Sequence, residues 1–397
     1  MNDKKNILLV HRFFYPDSPP YAVILDDMRE ILKAEGYHVD VLSSQPSYKN
    51  VDFKKNEKFI SIHDDGSKTY RLPVFKFKNK KIRNLFNFIW FPTVVFFFLL
   101  FKRRYDVMTV ATTPPVVLAF VVAVIAKIKK VALIYHFMDI HPEIGNISGE
   151  FKNKYIYHLL KRMDLFSCKV ASKIIVLSED MKNSLLNRNK QLSDKIEIIN
   201  NYDVNSKKIF DKDYFQDKTK KRIVYTGNIG KFQGLEVFIE SLKAKKEIDN
   251  FELVFVGEGN RLEKLKKLSS SISNIKFIPH VSIEKARKII SEADMGIVSL
   301  EKKIINYAYP SKVMTYLSEG TPILVVADNG SELESFINEN NLGIFVEYND
   351  SEKIYDIYKN ITSNNINFDR EKIKKVFNKN FSKNIFKKKL ISIFKDI

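Results

Sequence analysis

Three short stretches carry residue types suited to holding an anionic ligand. Thr226-Gly227-Asn228-Ile229-Gly230-Lys231-Phe232-Gln233-Gly234 follows a strand-like run and opens a helical one. Glycines there let a backbone approach a diphosphate, and a helix amino end offers unpaired N–H groups. The spacing is neither a Walker A motif nor G-x-G-x-x-G, so alone it also reads as an ordinary strand-to-helix turn. Gly257-Glu258-Gly259 follows the next strand with the same two readings. In the third stretch, Tyr309 to Pro322, Pro310 sits near a helix start, Ser311 can cap it and Lys312 occupies the first turn. A cation against the helix dipole is locally unfavourable, which points to an anionic ligand beside it, the other reading being an ordinary capped helix.

These stretches need elements to hold them. In the first half, Asn6–Val10, Val39–Ser43, Asp106–Ala111, Ala132–Phe137, Lys173–Leu177 and Lys195–Ile199 are short apolar runs. Ala22–Leu32 and Val116–Ile128 between them have helical character, so a parallel sheet covered on both faces is predicted. Val204–Lys220 is polar, lacks an apolar period and reads as a linker. The alternation restarts with strands at Arg222–Thr226, Phe251–Val256, Asn274–Ile278, Met295–Ser299 and Pro322–Ala327. Helices are predicted at Gly234–Ala244, Arg261–Ser270, Ile283–Ala293 and Lys312–Ser318. The expected organisation is a domain over 1–203, a linker over 204–220, a second domain over 221–350 and C-terminal helices over 351–397 that pack back toward the first domain. Two doubly wound α/β domains place a binding crevice where the carboxyl ends of their sheets face each other.

Composition narrows the class. The chain has 397 residues, 66 Lys+Arg against 47 Asp+Glu, and a formal charge of +19. A hydrophobic fraction of 45% excludes a disordered polyelectrolyte. The single Cys168, read as a buried small hydrophobe, excludes a disulfide scaffold or a multi-cysteine metal site and fits a reducing cytosol. No secretory signal is apparent after Met1.

The charge is local. Residues 51–104 hold 13 basic and 4 acidic residues around Leu85–Phe101, a run without any charge. Its length is at the lower limit for spanning a bilayer, Pro92 interrupts it, and basic clusters at both ends oppose crossing. Phe88, Trp90 and Phe97 suit an interfacial anchor, with Lys102, Arg103 and Arg104 gripping anionic head groups at about 1 kcal/mol each. A helix buried in the first domain and a true span are the competing readings. The favoured partner of the segment over 76–104 is an anionic membrane surface. Nucleic acid is disfavoured, because no basic groove pattern with interleaved aromatics accompanies the charge.

The glycine loop, the Gly-Glu-Gly turn and the Pro-Ser-Lys helix, in this order after a linker, resemble the donor domain of GT-B glycosyltransferases of family 4. In the first half, Val10–Pro16, then Ser18-Pro19-Pro20-Tyr21-Ala22 and Gly36-Tyr37-His38-Val39, resemble that family's opening strand, loop and helix. His136-Phe137-Met138-Asp139-Ile140-His141-Pro142-Glu143 is similar to the Asp-x-x-Pro-Glu segment of members that build bacterial surface polysaccharides. Val176–Met181 and Ile198–Asp203 also match family segments. The resemblance covers essentially the whole chain and is nearest to the N-acetylfucosamine-transferase-like branch.

That resemblance implies a GT-B fold and retaining transfer of a sugar, possibly N-acetylated, from a UDP-sugar to a lipid-linked saccharide in capsule or O-antigen synthesis. It implies no metal cofactor, a polyprenyl-diphosphate-linked acceptor and a peripheral or monotopic place on the cytoplasmic membrane face. Gly227, Asn228, Gly230, Gln233, Gly257, Glu258, Pro310, Ser311, Lys312, Thr315 and Glu319 are the donor-binding candidates, with Pro20 and Tyr21 on the acceptor-side loop. Where the family commonly has a diphosphate-binding Arg and Lys, this chain has Asn228 and Gln233, and Lys312, with Lys231 second, is the candidate for the missing cation. Tyr307 and Thr315 stand where many members carry paired glutamates, which leaves Glu319 as a nearby alternative for the ribose. Pro19-Pro20-Tyr21 replaces the Gly-Gly loop, and Met138 a histidine.

Departure of a nucleoside diphosphate needs cations or N–H dipoles aimed at developing charge, for which Gly230 with its neighbouring amides and Lys312 are placed. Asp139, His141 and Glu143 are the candidate bases for an acceptor hydroxyl, although Asp139 and Glu143 could instead stabilise their own loop. Asp211-Lys212-Asp213 mimics a metal-binding Asp-x-Asp but lies in the linker, and His136 with His141 lacks further metal ligands. A sugar-nucleotide 2-epimerase of similar architecture and a non-enzymatic basic binding protein are the rival functions.

Overall fold

The computed structural model describes residues 5–17, 19–48, 56–149, 151, 153–204, 213–243, 245 and 247–397. Ser18, Ala244, Asp211, Lys212 and the linker positions 205–212 lie outside the described residues, as do the side chains of Lys80 and Lys81. The chain divides into two units, and the first comprises Met1–Asn200, Tyr307–Tyr309 and Asn384–Ile397.

In that unit the elements run β1 (Asn6–Val10), α1 (Pro20–Ala34), β2 (His38–Ser44), β3 (Ile60–Ile62), β4 (Lys68–Leu72), α2 (Lys80–Phe101), β5 (Val107–Ala111), α3 (Val117–Lys129), β6 (Ala132–His136), α4 (Glu143–Ser148), α5 (Lys154–Val170), β7 (Lys173–Val176), α6 (Glu179–Arg188) and β8 (Ile196–Ile198). The sheet order is β3-β4-β2-β1-β5-β6-β7-β8, and only β3 runs antiparallel to its neighbour. Its inner strands β1, β5 and β6 are mostly apolar and almost wholly buried, as a sheet covered on both faces requires. Direction along the sheet reverses between β1 and β5, the point where α/β sheets open a crevice at their carboxyl edge. Helices α2, α3 and α5 pack side by side in one core cluster against the sheet, while α1 packs against β2.

The uncharged run lies in α2. Asn87, Phe91, Val95 and Leu99 recur at four-residue spacing and are buried in the core, with the helix packed on α3. The buried Asn87 amide is satisfied by Phe75, donating to its carbonyl at 2.8 Å and accepting from its N–H at 2.9 Å. On the opposite side Ile82, Leu85, Phe86, Ile89, Trp90, Phe97 and Phe101 are exposed. Two anchor candidates sit differently from the sequence expectation. Phe88 is half-buried rather than on the exposed ridge, and Lys102 turns back to donate to the Tyr70 hydroxyl at 2.7 Å.

The second unit, Asn201–Asn306 with Pro310–Lys383, holds β9 (Lys221–Thr226), α7 (Glu236–Glu240), β10 (Phe251–Val256), α8 (Leu262–Leu268), β11 (Ile275–Ile278), α9 (Ile283–Glu292), β12 (Met295–Ser299), α10 (Lys312–Ser318), β13 (Ile323–Ala327), α11 (Glu332–Asn340), β14 (Gly343–Glu347), α12 (Ser351–Thr362) and α13 (Arg370–Phe381). Its all-parallel sheet runs β11-β10-β9-β12-β13-β14, with the direction change between β9 and β12. The helix predicted from Gly234 is shorter, because Gly234 takes φ +53° after a 3₁₀ turn over Lys231–Gln233. Finally α14 (Lys383–Lys395) returns to the first unit, where its Phe394 ring lies 6.3 Å from Tyr37.

Candidate active site

In the second unit the site is built at the carboxyl end of β9. Thr226 is followed by Gly227 at φ +122°, and the β10 strand by Gly257 at φ +134°. A Cβ on Gly257 would lie 2.0 Å from the Gly227 carbonyl oxygen, so both loops pack only because that position is glycine. Beneath them runs α10. Its Tyr316 hydroxyl accepts the Thr226 N–H at 3.0 Å and fixes the end of β9. One turn earlier on the helix, Lys312 reaches up under Gly227, where a Cβ would meet its Cε at 3.2 Å and its Nζ at 3.3 Å.

Lys312 is the chemically unusual group here. Among the described residues no carboxylate pairs with its ammonium, whose recorded partner is the Tyr225 ring, 4.8 Å from Nζ to the centroid. Burial lowers its pKa from 10.5 to about 8. It remains a cation at neutral pH and would gain by meeting an anion. Lys312, Ser311, Thr315, Gly227 and Gly257 line a cavity of about 250 Å³ that His280 and Arg287 complete. Neither His280 nor Arg287 follows from the sequence motifs, since both lie outside the glycine loops and the Pro-Ser-Lys helix.

Several expectations for this pocket are corrected. The Gly230 N–H is already bonded to the Gln233 side chain at 3.0 Å, and the Ile229 N–H to the Glu258 carbonyl at 2.8 Å. Gly230 and Gln233 thus fold the loop on itself instead of presenting amides. Glu258 contributes its backbone, and its side chain is exposed. Ser311 makes no side-chain cap on α10. Glu319 is ion-paired with Arg287, which also binds Asp203, so its carboxylate is engaged within the protein. Thr315 remains on the cavity wall, whereas Asn228 offers its carbonyl to the Tyr225 hydroxyl at 2.6 Å. Pro310 precedes the helix and Lys231 sits exposed on the 3₁₀ turn.

In the first unit a second cluster forms at the carboxyl ends of β1 and β6. The Tyr21 hydroxyl lies 3.0 Å from His136 Nδ1, and the His11 and Tyr21 ring centroids are 4.7 Å apart. Pro20, the first residue of α1, sets Tyr21 in this position. Burial lowers the His136 pKa to about 3 and that of His11 to about 4, so both rings are neutral at pH 7. Among the described residues no three His, Cys, Asp or Glu side chains converge as a metal site.

The three base candidates separate. Asp139 is half-buried and nothing among the described residues donates to its carboxylate, so desolvation lifts its pKa from 3.8 to about 6. Its backbone is pinned by a bridge to Ala308, and the Ile140 N–H donates to the Tyr307 carbonyl at 2.7 Å. His141 is held near pKa 4 by burial and by the Arg188 charge, with a buried Nδ1 that has no hydrogen-bond partner among the described residues. Glu143 is not a free base. Arg188 from the end of α6 binds it through Nε at 3.0 Å and through Nη2, and Lys161 approaches to 3.5 Å. The same guanidinium binds Asp164 and donates to the His141 carbonyl at 2.9 Å, so Glu143 serves to hold the loop. Asp213, from the Asp-Lys-Asp run, pairs with Lys218 and Lys288 on the surface.

Two family models match the chain in succession, Glycosyltransferase Family 4 over residues 22–202 and Glycosyl transferases group 1 over residues 206–380. An uncharacterized glycosyltransferase of Methanocaldococcus jannaschii is 28% identical across 99% of this chain and 98% of its own. The Escherichia coli protein WcaI, named as a colanic acid biosynthesis glycosyl transferase, is 23% identical over 82% of this chain and 84% of its own. Among solved structures, Anabaena HepE in complex with UDP-glucose superposes with a TM-score of 0.64 at 12% identity, covering 99% of this chain and 100% of that one. The family models and curated relatives run through both units and name transferases. The epimerase rival is met only as a likeness of fold, a UDP-N-acetylglucosamine 2-epimerase superposing with a TM-score of 0.56 at 14% identity over 98% of this chain and 95% of that one. With two parallel α/β units and consecutive transferase models over nearly all of its length, this chain is an enzyme of the GT-B glycosyltransferases of family 4.

Proposed function

We propose that this enzyme moves a sugar, N-acetylfucosamine or another N-acetylated sugar, from a UDP-sugar to a polyprenyl-diphosphate-linked saccharide with retention of configuration. The setting is the cytoplasmic membrane face and the product a bacterial surface polysaccharide of the capsule or O-antigen type. One observation carries the donor reading: a desolvated ammonium, Lys312, lies under a glycine turn with no carboxylate among the described residues to neutralise it. The UDP-glucose bound in the Anabaena relative and the colanic acid name of the E. coli relative support the donor and product classes. The exposed ridge of α2 supports the membrane setting.

In this reading Lys312 faces the diphosphate and stabilises the charge that develops as the bond from the anomeric carbon to the phosphate oxygen breaks. UDP leaves with the electron pair. The acceptor oxygen attacks from the same face, and its proton passes to Asp139, ionised above about pH 6. Positive charge comes from the protein itself, so the reading requires no resident metal.

A thermal-shift screen of nucleotides tests the carrier. UDP at a hundredfold excess over its Kd stabilises by about 2.7 kcal/mol, which raises the melting temperature by roughly 5–10 °C for a domain of this size. Equal or larger shifts with GDP or ADP, or none with UDP, would overturn the assignment.

A further inference from the structure

The exposed apolar surface of the first unit extends beyond α2. On α3, which packs between α2 and α5, no polar residue occurs from Val116 to Ala126. Val117, Phe120, Val121 and Val124 form its half-buried outer stripe, and Ile128 continues it at 59% exposure. On α5 the first two turns expose Tyr155 at 88%, Ile156 at 50% and Leu159 at 59%. The Phe120 and Phe166 rings, 5.4 Å apart, join α3 to α5. A helix covering a sheet in water normally carries polar residues outward. In this same unit α1 obeys that rule, with Arg29 paired to Asp26 and Lys33 to Asp65 on its outer side.

Charge follows the same asymmetry. The sequences of α2, α3 and α5 contain a single carboxylate, Asp164, which is buried and bound by Arg188. Around the apolar residues stand exposed cations, among them Arg103, Arg104, Lys127, Lys130, Lys154 and Arg162. An isologous contact with a second copy would set these cations against their own counterparts. An anionic lipid surface complements them and accepts the apolar side chains between them.

We propose that α2, α3 and the amino-terminal turns of α5 form one flat membrane platform, with Tyr155, Ile156 and Leu159 as a second insertion element apart from α2. This rests on the membrane setting proposed above. A 17-residue α5 spans about 25 Å and ends just before β7, so its first turns lie toward the carboxyl edge of the sheet, where Asp139 is held. Insertion there brings lipid to the catalytic edge of the unit.

Trp90 is the chain's single tryptophan and reports on α2 directly. The intact protein and a W90F/Y155W variant are to be mixed with phosphatidylglycerol vesicles containing brominated acyl chains. Bromine is expected to quench Trp90 in the first and the indole at 155 in the second. In parallel, the Tyr155→Ser/Ile156→Ser/Leu159→Ser variant should bind these vesicles at least about tenfold more weakly, since each side chain gives up its apolar burial. An unquenched indole at 155 with a quenched Trp90 would overturn the platform and leave membrane binding by α2 standing. No quenching at either place would remove both. A concentration-dependent dimer in sedimentation equilibrium, dissolved by the triple substitution, would assign the face to a second copy instead.

Discussion

Replacing Lys312 with methionine is expected to raise the melting temperature of the ligand-free enzyme while abolishing its response to UDP. Methionine preserves most of the buried stem and removes the charge. The lysine pKa falls from 10.5 in the unfolded chain to about 8 in the folded one, so folding must disfavour a proton that the unfolded chain keeps. That cost, on the order of 2–3 kcal/mol, is fully present below pH 8 and disappears as pH rises through 8 toward 10.5. The stabilisation by methionine should therefore be largest near pH 7 and shrink in alkaline buffer. Donor binding runs the other way. Losing one member of a buried charge contact costs about 2–5 kcal/mol, or roughly 30-fold to several thousandfold in UDP affinity. The wild-type enzyme should also bind UDP about tenfold more weakly for each pH unit above 8, as its free form loses the proton. Calorimetric melting and UDP titration from pH 6.5 to 9.5 measure all three effects. A variant that melts lower and still binds UDP would mean that Lys312 is a packing residue.

Asp139→Asn should lower kcat by roughly 10²–10⁴ with UDP affinity unchanged, the range expected for losing a positioned general base. The wild-type rate should decline as pH falls through about 6, where the carboxylate takes up its proton. Stability has the opposite sense. The Asp139 pKa is raised in the folded state, so its ionisation weakens folding above pH 6 and ceases to matter below about pH 4. The asparagine variant should thus be the more stable protein at pH 8. Glu143→Gln is the control. It loosens a salt bridge to Arg188 and should lower thermal stability without moving the acid limb of the rate profile. Loss of that limb in Glu143→Gln, with normal turnover in Asp139→Asn, would reverse the two roles.

The parts of the architecture visible in the sequence are those whose physics is local. Continuous apolar runs such as Phe251–Val256 and Ile323–Ala327 announce strands buried on both faces, and they fold where the pattern puts them. The edge pair Ile60–Ile62 and Lys68–Leu72 escaped because an exposed three-residue strand and the polar run Lys-Thr-Tyr-Arg-Leu give no clear period. Lys312 was legible because its place in a helix's first turn, after Pro310 and Ser311, is odd by itself. Arg188 was not. Its partners Glu143, Asp164 and the His141 carbonyl are 24 to 47 residues away, and only the fold brings them together. The same holds for Glu319, whose capture by Arg287 depends on α9 lying beside α10. For α2 the composition favoured a membrane surface over a helix buried in the first domain. The buried stripe Asn87-Phe91-Val95-Leu99 and the exposed ridge behind it show that one helix has both sides.

The most direct test of sugar transfer uses the intact enzyme, a panel of UDP-sugars labelled at the anomeric carbon, and polyprenyl-diphosphate saccharides in phosphatidylglycerol vesicles. The account predicts label from a UDP-sugar in the lipid-extractable fraction, with the anomeric configuration of the donor preserved in its carbon–hydrogen coupling. Label confined to free sugar or to an epimerised nucleotide, or delivered from GDP-sugars alone, would contradict it.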